Sequence, residues 1–451
     1  MGSQQNARRS LVRTATNALV GLIGERATNF AFLDQVVVSG ANFVAGILLA
    51  RSLGLHEYGV FTLAWLLIEF VGSLQFAAVI QPMMNIGPKQ AEADAVDYYS
   101  AVAVQQVLLS LVLATLVSIG IGLGGAALSE PQLSELTFPL FAAIIGYQLH
   151  SFLRRYFFVR DRGMAALCND SLRFVAQIAA IAALPAICPE PTTPAAIWIV
   201  AGACMLSIVQ GACFFGRFRL TRFALFRVWC RHWQFSKWLL PSALMYWMTS
   251  QAFVVTAGIV LGAALTGSAK VALSITGILN IMLLALDNFA PAQAARAWHE
   301  GGSVALGRYI ARLSRLTALL IAGVLVFLCV DPEYLVGLLF GHQYVGSAYL
   351  VRWFCAPAAV YGMNTVLVIW AAAMEKTRPI FVSYVIGTAF TLVAAYPLTR
   401  YGGLVGVALG SLAVEIIRML VLRIALRHEI NSSAVRSATL EATQLQTGSI
   451  R

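Results

Sequence analysis

The sequence predicts an all-α membrane protein with about twelve transmembrane helices, arranged as two six-helix lobes that are related by a parallel pseudo-two-fold repeat. Three observations support this class. Of the 451 residues, 59% are hydrophobic and 11% are charged, and the mean hydropathy is +0.77, which is outside the usual range of globular proteins. Apolar runs of about 20 residues, the length that crosses a bilayer as a helix, follow one another along the chain. Lys and Arg concentrate in alternate connections between these runs.

The apolar runs define the individual spans. Runs such as Val102 to Leu123 are apolar on every face, whereas the strands of a membrane barrel alternate apolar and polar side chains. The predicted spans lie near residues 30–50, 60–84, 100–124, 136–156, 164–187, 195–215, 238–262, 271–294, 310–330, 354–374, 379–399 and 402–424.

The basic residues predict that both termini are cytoplasmic. With the N-terminus inside, 25 Lys and Arg residues fall on the cytoplasmic side and four on the other, the bias that sets membrane topology. We therefore interpret the net charge of +11 as a topology determinant and predict no nucleic-acid partner. The first residues carry arginines around a short apolar stretch that is too short to span. This pattern predicts a helix on the membrane surface and not a cleavable signal peptide.

An internal repeat predicts that the two halves enter the membrane in the same orientation. Pro82 aligns with Pro291, and the loop at 159–163 matches the loop at 374–378. Parallel repeats of this kind form two lobes around a central cavity. The predicted domains are a cytoplasmic amphipathic N-terminal segment, an N-lobe, a basic cytoplasmic linker, a C-lobe and a polar cytoplasmic tail, at residues 1–29, 30–216, 217–237, 238–426 and 427–451.

Ionisable side chains within the spans are the first candidate functional residues, because each costs about 2.5–3.5 kcal/mol to insert. Asp34, Glu69 and Asp287 have no basic residue three or four positions away. Each therefore needs a partner on another helix, a proton or water. We expect these acids to line an aqueous cavity and to serve ion coupling. Polar residues at helical spacing are expected beside them, although they also suit helix packing alone: Gln35, Asn42, Thr249 and Asn280.

Two further sets of charged residues have other predicted roles. Asp170 with Arg173 and Glu415 with Arg418 have i, i+3 spacing, which predicts structural ion pairs within one helix. Arginines near the ends of spans are candidates to contact a substrate phosphate: Arg26, Arg154 and Arg296 inside, and Arg51 outside. Histidines and cysteines show no metal-ligand spacing, and no phosphate-binding GxxxxGK[ST] motif occurs, so no metal, cofactor or ATP hydrolysis is predicted.

Four strings resemble the polysaccharide-transporter branch of the multidrug, oligosaccharidyl-lipid and polysaccharide exporter superfamily. They occur in the expected order and, with the span plan, cover nearly the whole chain: ARSLGLHEYGVFTLA (50–64), LLFGHQYVGSAYLV (338–351), AAMEKTRP (372–379) and YGGLVGVALGSL (401–412).

The resemblance implies a flippase of the bacterial inner membrane. Such a protein moves undecaprenyl-pyrophosphate-linked oligosaccharides by alternating access, for exopolysaccharide, capsule or O-antigen synthesis. The resemblance also implies coupling to H⁺ or Na⁺, and glycan polymerase or export proteins as candidate partners. Family members with proposed substrate contacts place arginines inside the cavity, whereas this sequence has acids in spans 1, 2 and 8 and no unpaired base in mid-span.

Two other classes of membrane protein account for part of the sequence pattern. A cation-coupled drug or metabolite antiporter of the same superfamily accounts well for Asp34 and Glu69. A membrane enzyme such as a glycan polymerase needs a large outer loop for its chemistry. The longest predicted outer connection, 331–353, has no evident catalytic cluster. The sequence therefore predicts a transporter and not an enzyme.

Overall fold

The computed structural model describes residues 26–128, 131–219 and 221–448, and within these ranges it contains helices and no strand. The predicted surface helix at the N-terminus falls almost entirely outside the described residues. The helices are α1 Arg26–Gln75, α2 Gln81–Ile86, α3 Glu92–Leu128, α4 Pro131–Glu135, α5 Thr137–Val159, α6 Gly163–Ile187, α7 Thr193–Phe215, α8 Arg222–Ser236, α9 Leu239–Leu261, α10 Ala263–Thr276, α11 Ile278–Val330, α12 Pro332–Phe340, α13 Tyr349–Ala373 and α14 Arg378–Gly448.

The helices account for the predicted number of spans. In the described part of the chain, nine helical stretches are long and apolar enough to cross a membrane. Two of them, Leu33–Lys89 and Arg378–Arg427, are about twice the length of one crossing and are interrupted by a non-helical glycine, at Gly54 and Gly403. The remaining predicted span lies in α10 and the first part of α11. The all-α, multi-pass class predicted from the sequence is confirmed.

Each of the four strings that carry the resemblance contains a residue with left-handed backbone. These residues are Gly54 (φ 76°), Gly341 (φ 101°), Glu375 (φ 58°) and Gly403 (φ 58°). A left-handed residue ends a helix, and glycine adopts this conformation without steric cost. The strings therefore mark the positions at which one helix stops and the next begins.

The turns that follow α5 and α13 have the same geometry. Asp161 and Glu375 are the non-glycine residues with positive φ in the described chain, at 54° and 58°. In each turn, the N–H of the next residue donates to the carbonyl five residues earlier, at 2.8 Å and 2.9 Å. This is the hydrogen bond of a Schellman helix end. The sequence alignment pairs Asp161 with Lys376, so the structural repeat differs from it by one residue at this turn.

The chain divides into two compact units. Unit 1 contains residues up to Leu53 and Ala64–Ala243, and unit 2 contains Gly54–Leu63 and Leu244–Arg451. The core of unit 1 joins the end of the second span to α3, α5 and α8, with buried side chains that include Met83, Tyr98, Phe152, Phe157 and Val228.

Unit 2 is built around close helix contacts. A Cβ added to Gly59 would lie 1.7 Å from the carbonyl oxygen of Ala263, so only glycine allows α1 to approach α10 this closely. The neighbouring Tyr58 is 2% exposed and meets Tyr344 edge to face, with ring centroids 6.2 Å apart. The first two strings of the resemblance therefore pack against each other.

Candidate functional site

A cluster of charged side chains is buried within unit 1. Arg154 of α5 donates to Asp34 Oδ2 of α1 from Nε at 2.9 Å and from Nη2 at 2.5 Å. The same Nε lies 2.7 Å from Asp170 Oδ2 of α6. His150, one turn before Arg154, has its Nε2 3.3 Å from the other oxygen of Asp170. The helices α1, α5 and α6 thus meet at a single guanidinium group.

The two carboxylates of this cluster are fully removed from the surface. Asp34 and Asp170 have side-chain exposures of 0%, and Arg154 is 15% exposed. Within the part of the chain that the structure describes, Asp34 Oδ1 accepts no hydrogen bond, and Asp170 lies at ion-pair distance from Arg154 and His150 without hydrogen-bond geometry. Buried carboxylates are costly unless they are paired and hydrogen bonded. Two such groups that share one guanidinium are suited chemically to accept a proton or a small cation.

The structure corrects two sequence predictions at this cluster. The nearest charge partner of Asp170 is Arg154, not Arg173, because Arg173 turns toward aromatic rings and lies 4.5 Å from the centroid of Phe174 and 5.1 Å from that of Tyr147. Arg154 was expected at the inner end of its span as a phosphate contact. It is instead held by Asp34 and Asp170 inside unit 1.

Glu69 is linked to this region through aromatic side chains. Its Oε1 accepts a hydrogen bond from Trp65 Nε1 at 2.8 Å, one turn earlier in α1. The Trp65 ring packs edge to face on Tyr147, with centroids 5.2 Å apart, and Tyr147 in turn lies under Arg173. The partner of Glu69 is therefore the indole N–H of its own helix.

The polar stripe of the first span contributes one residue to the cluster. Gln35 donates to Ser39 Oγ at 3.0 Å, and its Oε1 accepts from Arg154 Nη2 at 3.4 Å. Asn42 is exposed and lies two turns further along the helix. Of the predicted cavity residues in this span, Asp34 and Gln35 share one site.

Unit 2 has its own buried ion pair. Arg418 Nη1 donates to Glu415 Oε1 at 2.9 Å, as the i, i+3 spacing predicts. Asn364 of α13 donates to Glu415 Oε2 at 2.7 Å, and the guanidinium lies 4.1 Å from the Tyr384 ring centroid. This pair bridges neighbouring helices, and both carboxylate oxygens of Glu415 accept hydrogen bonds, which fits a structural role.

The other predicted residues are dispersed. Thr249 Oγ1 is 2.8 Å from Thr388 Oγ1 within unit 2, and Asn280 is exposed. Arg51 and Arg296 are exposed, and Arg51 makes a contact of its own. Asp287 and Arg26 lie in helices, but their side chains fall outside the described residues.

Sequence reasoning missed His150 and Tyr147. With Arg154 they occupy positions 147, 150 and 154, a spacing of three and four that places them on one face of α5. This polar stripe within an apolar span was a detectable pattern. It was obscured because Arg154 lies at the inner end of its predicted span, where a basic residue is typical of a cytoplasmic helix end.

Solved structures with the same architecture are membrane transporters. An inward-facing multidrug resistance MATE family transporter of the MOP superfamily is 14% identical, with a TM-score of 0.66 over 91% of this chain and 100% of that chain. The eukaryotic MATE transporter AtDTX14 is 16% identical, with a TM-score of 0.63 over 89% and 94%. The lipid II flippase MurJ in an inward closed conformation is 13% identical, with a TM-score of 0.62 over 89% and 87%.

These similarities define the class of fold. The chain is a multi-pass membrane protein with the fold of MOP-superfamily transporters, in which MATE transporters and MurJ share one architecture. No protein-family model and no curated protein matches the sequence.

Proposed function

We propose that the protein moves a lipid-linked oligosaccharide across the bacterial inner membrane by alternating access, driven by H⁺ or Na⁺. Both termini are cytoplasmic in this proposal. The oligosaccharide is carried on undecaprenyl pyrophosphate and serves synthesis of a surface polysaccharide. Support comes from the transporter fold, from the four sequence strings and from the buried charges of unit 1.

The observation that carries the proposal is the shared guanidinium of Arg154. A transporter needs a group deep in the protein whose charge state changes the packing of its helices. Asp34 and Asp170 hold α1 and α6 to α5 through this one side chain. A proton or cation on either carboxylate weakens its attraction to Arg154. Ion binding would thereby weaken the contact of α1 or of α6 with α5.

The choice of a lipid-linked glycan rests on the sequence strings and on the presence of a lipid II flippase among proteins of the same fold. We assign substrate phosphate contacts to Arg26, Arg51 and Arg296. Arg154 is removed from this set because two carboxylates already occupy its donors. Asp34 and Glu69, with Asp287, remain the proposed coupling residues.

The specific test is a reconstituted flipping assay. Proteoliposomes contain an undecaprenyl-pyrophosphate oligosaccharide with a fluorescent sugar, and a membrane-impermeant reductant destroys the label in the outer leaflet. We expect the protein to increase the fraction of label that the reductant reaches. An imposed proton or sodium gradient should change the rate at which the labelled lipid crosses the bilayer. No increase over empty liposomes under any gradient would contradict the proposal.

The second candidate function is a cation-coupled drug or metabolite antiporter. The acids Asp34 and Glu69 favour it, as does the similarity in fold to MATE transporters. The same proteoliposomes distinguish the two functions. Gradient-driven uptake of a cationic dye without glycan flipping would identify the antiporter.

A further inference from the structure

Helix α8 has one face that is buried against unit 1. Thr221 caps its start by accepting a hydrogen bond from the Ala224 N–H at 3.2 Å. The buried residues recur every fourth position and therefore form a single stripe: Ala224, Val228, His232 and Ser236. This stripe packs on the cytoplasmic end predicted for the unit.

Two hydrogen bonds fix this face in position. The ring of His232 bonds to the hydroxyl of Tyr98 at 3.0 Å. Ser236 Oγ donates at 3.2 Å to the carbonyl oxygen of Ala78. That carbonyl lies four residues before Pro82, which has no N–H to donate to it. The helix α8 therefore supplies a donor to an irregular turn of the second span.

The rest of the helix surface is aromatic on one side and basic on another. Phe226, Trp229 and Trp233 are 70%, 46% and 59% exposed, and their spacing places them on one face. Arg227 and Arg231 are exposed on a second face. Residues 217–237 contain six basic residues and no acidic one.

The connections of α8 hold it at the bilayer surface. The preceding span α7 ends at Phe215 and the following span α9 begins at Leu239. Few residues separate α8 from either, and each extends the chain by at most about 3.5 Å. With its fifteen residues, α8 is shorter than the roughly 20 needed to cross. It must therefore remain near the membrane–water interface.

We propose that α8 is a binding surface for anionic phospholipid headgroups of the cytoplasmic leaflet. Exposed Trp and Phe side chains suit the interface between headgroups and acyl chains. Adjacent arginines pair with lipid phosphates and favour lipids of net negative charge. A soluble protein partner does not require exposed aromatic side chains and arginines together at the membrane–water interface. No residue of this surface is among those assigned to coupling or to substrate contact.

The test measures lipid binding to the full-length protein. Detergent-solubilised protein is titrated with phosphatidylglycerol or with phosphatidylcholine, and bound lipid is counted by native mass spectrometry. We expect phosphatidylglycerol to bind more tightly. The double variant Arg227→Gln/Arg231→Gln should weaken its binding by about tenfold or more, because each basic residue near the surface contributes to anionic-lipid affinity. Glycerol phosphate in solution should not displace the lipid.

A matched control is available in unit 2. Arg308 and Arg312 are exposed, have the same i, i+4 spacing and lie on one helix, α11. The variant Arg308→Gln/Arg312→Gln removes the same charge. It should leave phosphatidylglycerol affinity within about twofold of the parent, because residues 301–319 contain no Trp or Phe to lie between headgroups and acyl chains beside these arginines. Equal weakening by both double variants, or equal affinity for the two lipids, would overturn the proposal. Displacement by glycerol phosphate would also overturn it, as evidence of a free-phosphate site.

Discussion

Arg154 is the residue on which the charge balance of unit 1 depends. It meets Asp34 and Asp170, both fully buried, and no other arginine is placed as close to either carboxylate among the described ion pairs. Removing one partner of a buried ion pair lowers the free energy of unfolding far more than removing one partner of a surface ion pair. The reason is that the remaining buried charge is left without compensation. The consequences of substitution should therefore be asymmetric.

The variant Arg154→Gln leaves two buried carboxylates and should destabilise the protein by about 3–5 kcal/mol. Asp34→Asn keeps Arg154 paired with Asp170 and should cost less. The double variant Asp34→Asn/Arg154→Gln should be more stable than Arg154→Gln alone, because it leaves one buried carboxylate without a partner and not two. Thermal unfolding in detergent checks this order. Arg219→Gln is the control, since Arg219 pairs with Asp97 at the surface, where solvent screening leaves an ion pair little effect on stability. Equal destabilisation by Arg154→Gln and Arg219→Gln would contradict the prediction.

The candidate site was only partly predictable from residues. Asp34 was identified because a lone acid in a span is costly, and the need for a partner on another helix followed directly. The identity of that partner did not follow, because single-sequence periodicity gives the face of a helix but not its neighbour. Arg154 was predicted to contact a substrate phosphate at the inner end of its span. Its side chain lies in the last part of α5, where a basic residue is equally typical of a cytoplasmic helix end.

At the scale of helices, the left-handed residues explain why the four strings were recognisable. Gly54, Gly341 and Gly403 are required where helices break, and Glu375 closes a Schellman turn. These strings are therefore determinants of fold. None of the four strings contains Asp34, Arg154 or Asp170, which is why the sequence predicted the helices more fully than the charged cluster.

Gly59 provides a test of the close contact in unit 2. Gly59→Ala would place a methyl group on the Ala263 carbonyl oxygen, and backbone cannot move aside as a side chain can. We expect a loss of about 1–3 kcal/mol from overpacking, measured as a lower thermal midpoint. Gly40→Ala in the same helix is the control, because nothing lies within 4 Å of the added carbon. A midpoint for Gly59→Ala equal to that for Gly40→Ala would disprove the contact.

The attachment of α8 should depend on pH through His232. Burial, together with the smaller effect of the Arg231 charge, lowers the pKa of His232 to about 4. The unfolded pKa is about 6.5, so the folded state binds fewer protons between these values and stability rises with pH across that window. Below about pH 6.5 the attachment should weaken, by up to about 3 kcal/mol near pH 4.

Hydrogen exchange of residues 222–236, corrected for intrinsic rates, measures this weakening. His232→Gln keeps a side chain able to bond to Tyr98 but does not titrate, so its protection should be independent of pH. Retained pH dependence in the Gln variant would assign the effect to another group.

For the whole molecule, sequence composition was sufficient to predict an all-α, multi-pass protein. The bounds of the apolar runs also placed helix breaks near Gly54 and Gly403. The orientation in the membrane stays a prediction from the positions of Lys and Arg. This bias determines how the chain inserts into the membrane, and it produces no contact within the fold that would test the orientation.

Reporter fusions test orientation directly. Fusions after Thr193 and Gly267 should report the outside, and fusions after Arg222 and Lys376 the cytoplasm. The physical reason is the concentration of Lys and Arg in the connections assigned to the cytoplasm. An outside signal from the Arg222 fusion would place the linker 217–237 on the outer side of the membrane. It would also contradict the cytoplasmic lipid surface proposed for α8.

The central claim is that acidic residues within the spans couple ion movement to transport. The most direct measurement is the gradient-driven flipping rate of Asp34→Ala, Glu69→Ala and Asp287→Ala in proteoliposomes, with insertion verified by gel filtration. Glu333→Ala is the control, because Glu333 is 46% exposed beside Arg352. We predict that all three variants insert normally and flip more slowly than the parent, while the control does not change. Normal flipping by all three variants would contradict the account.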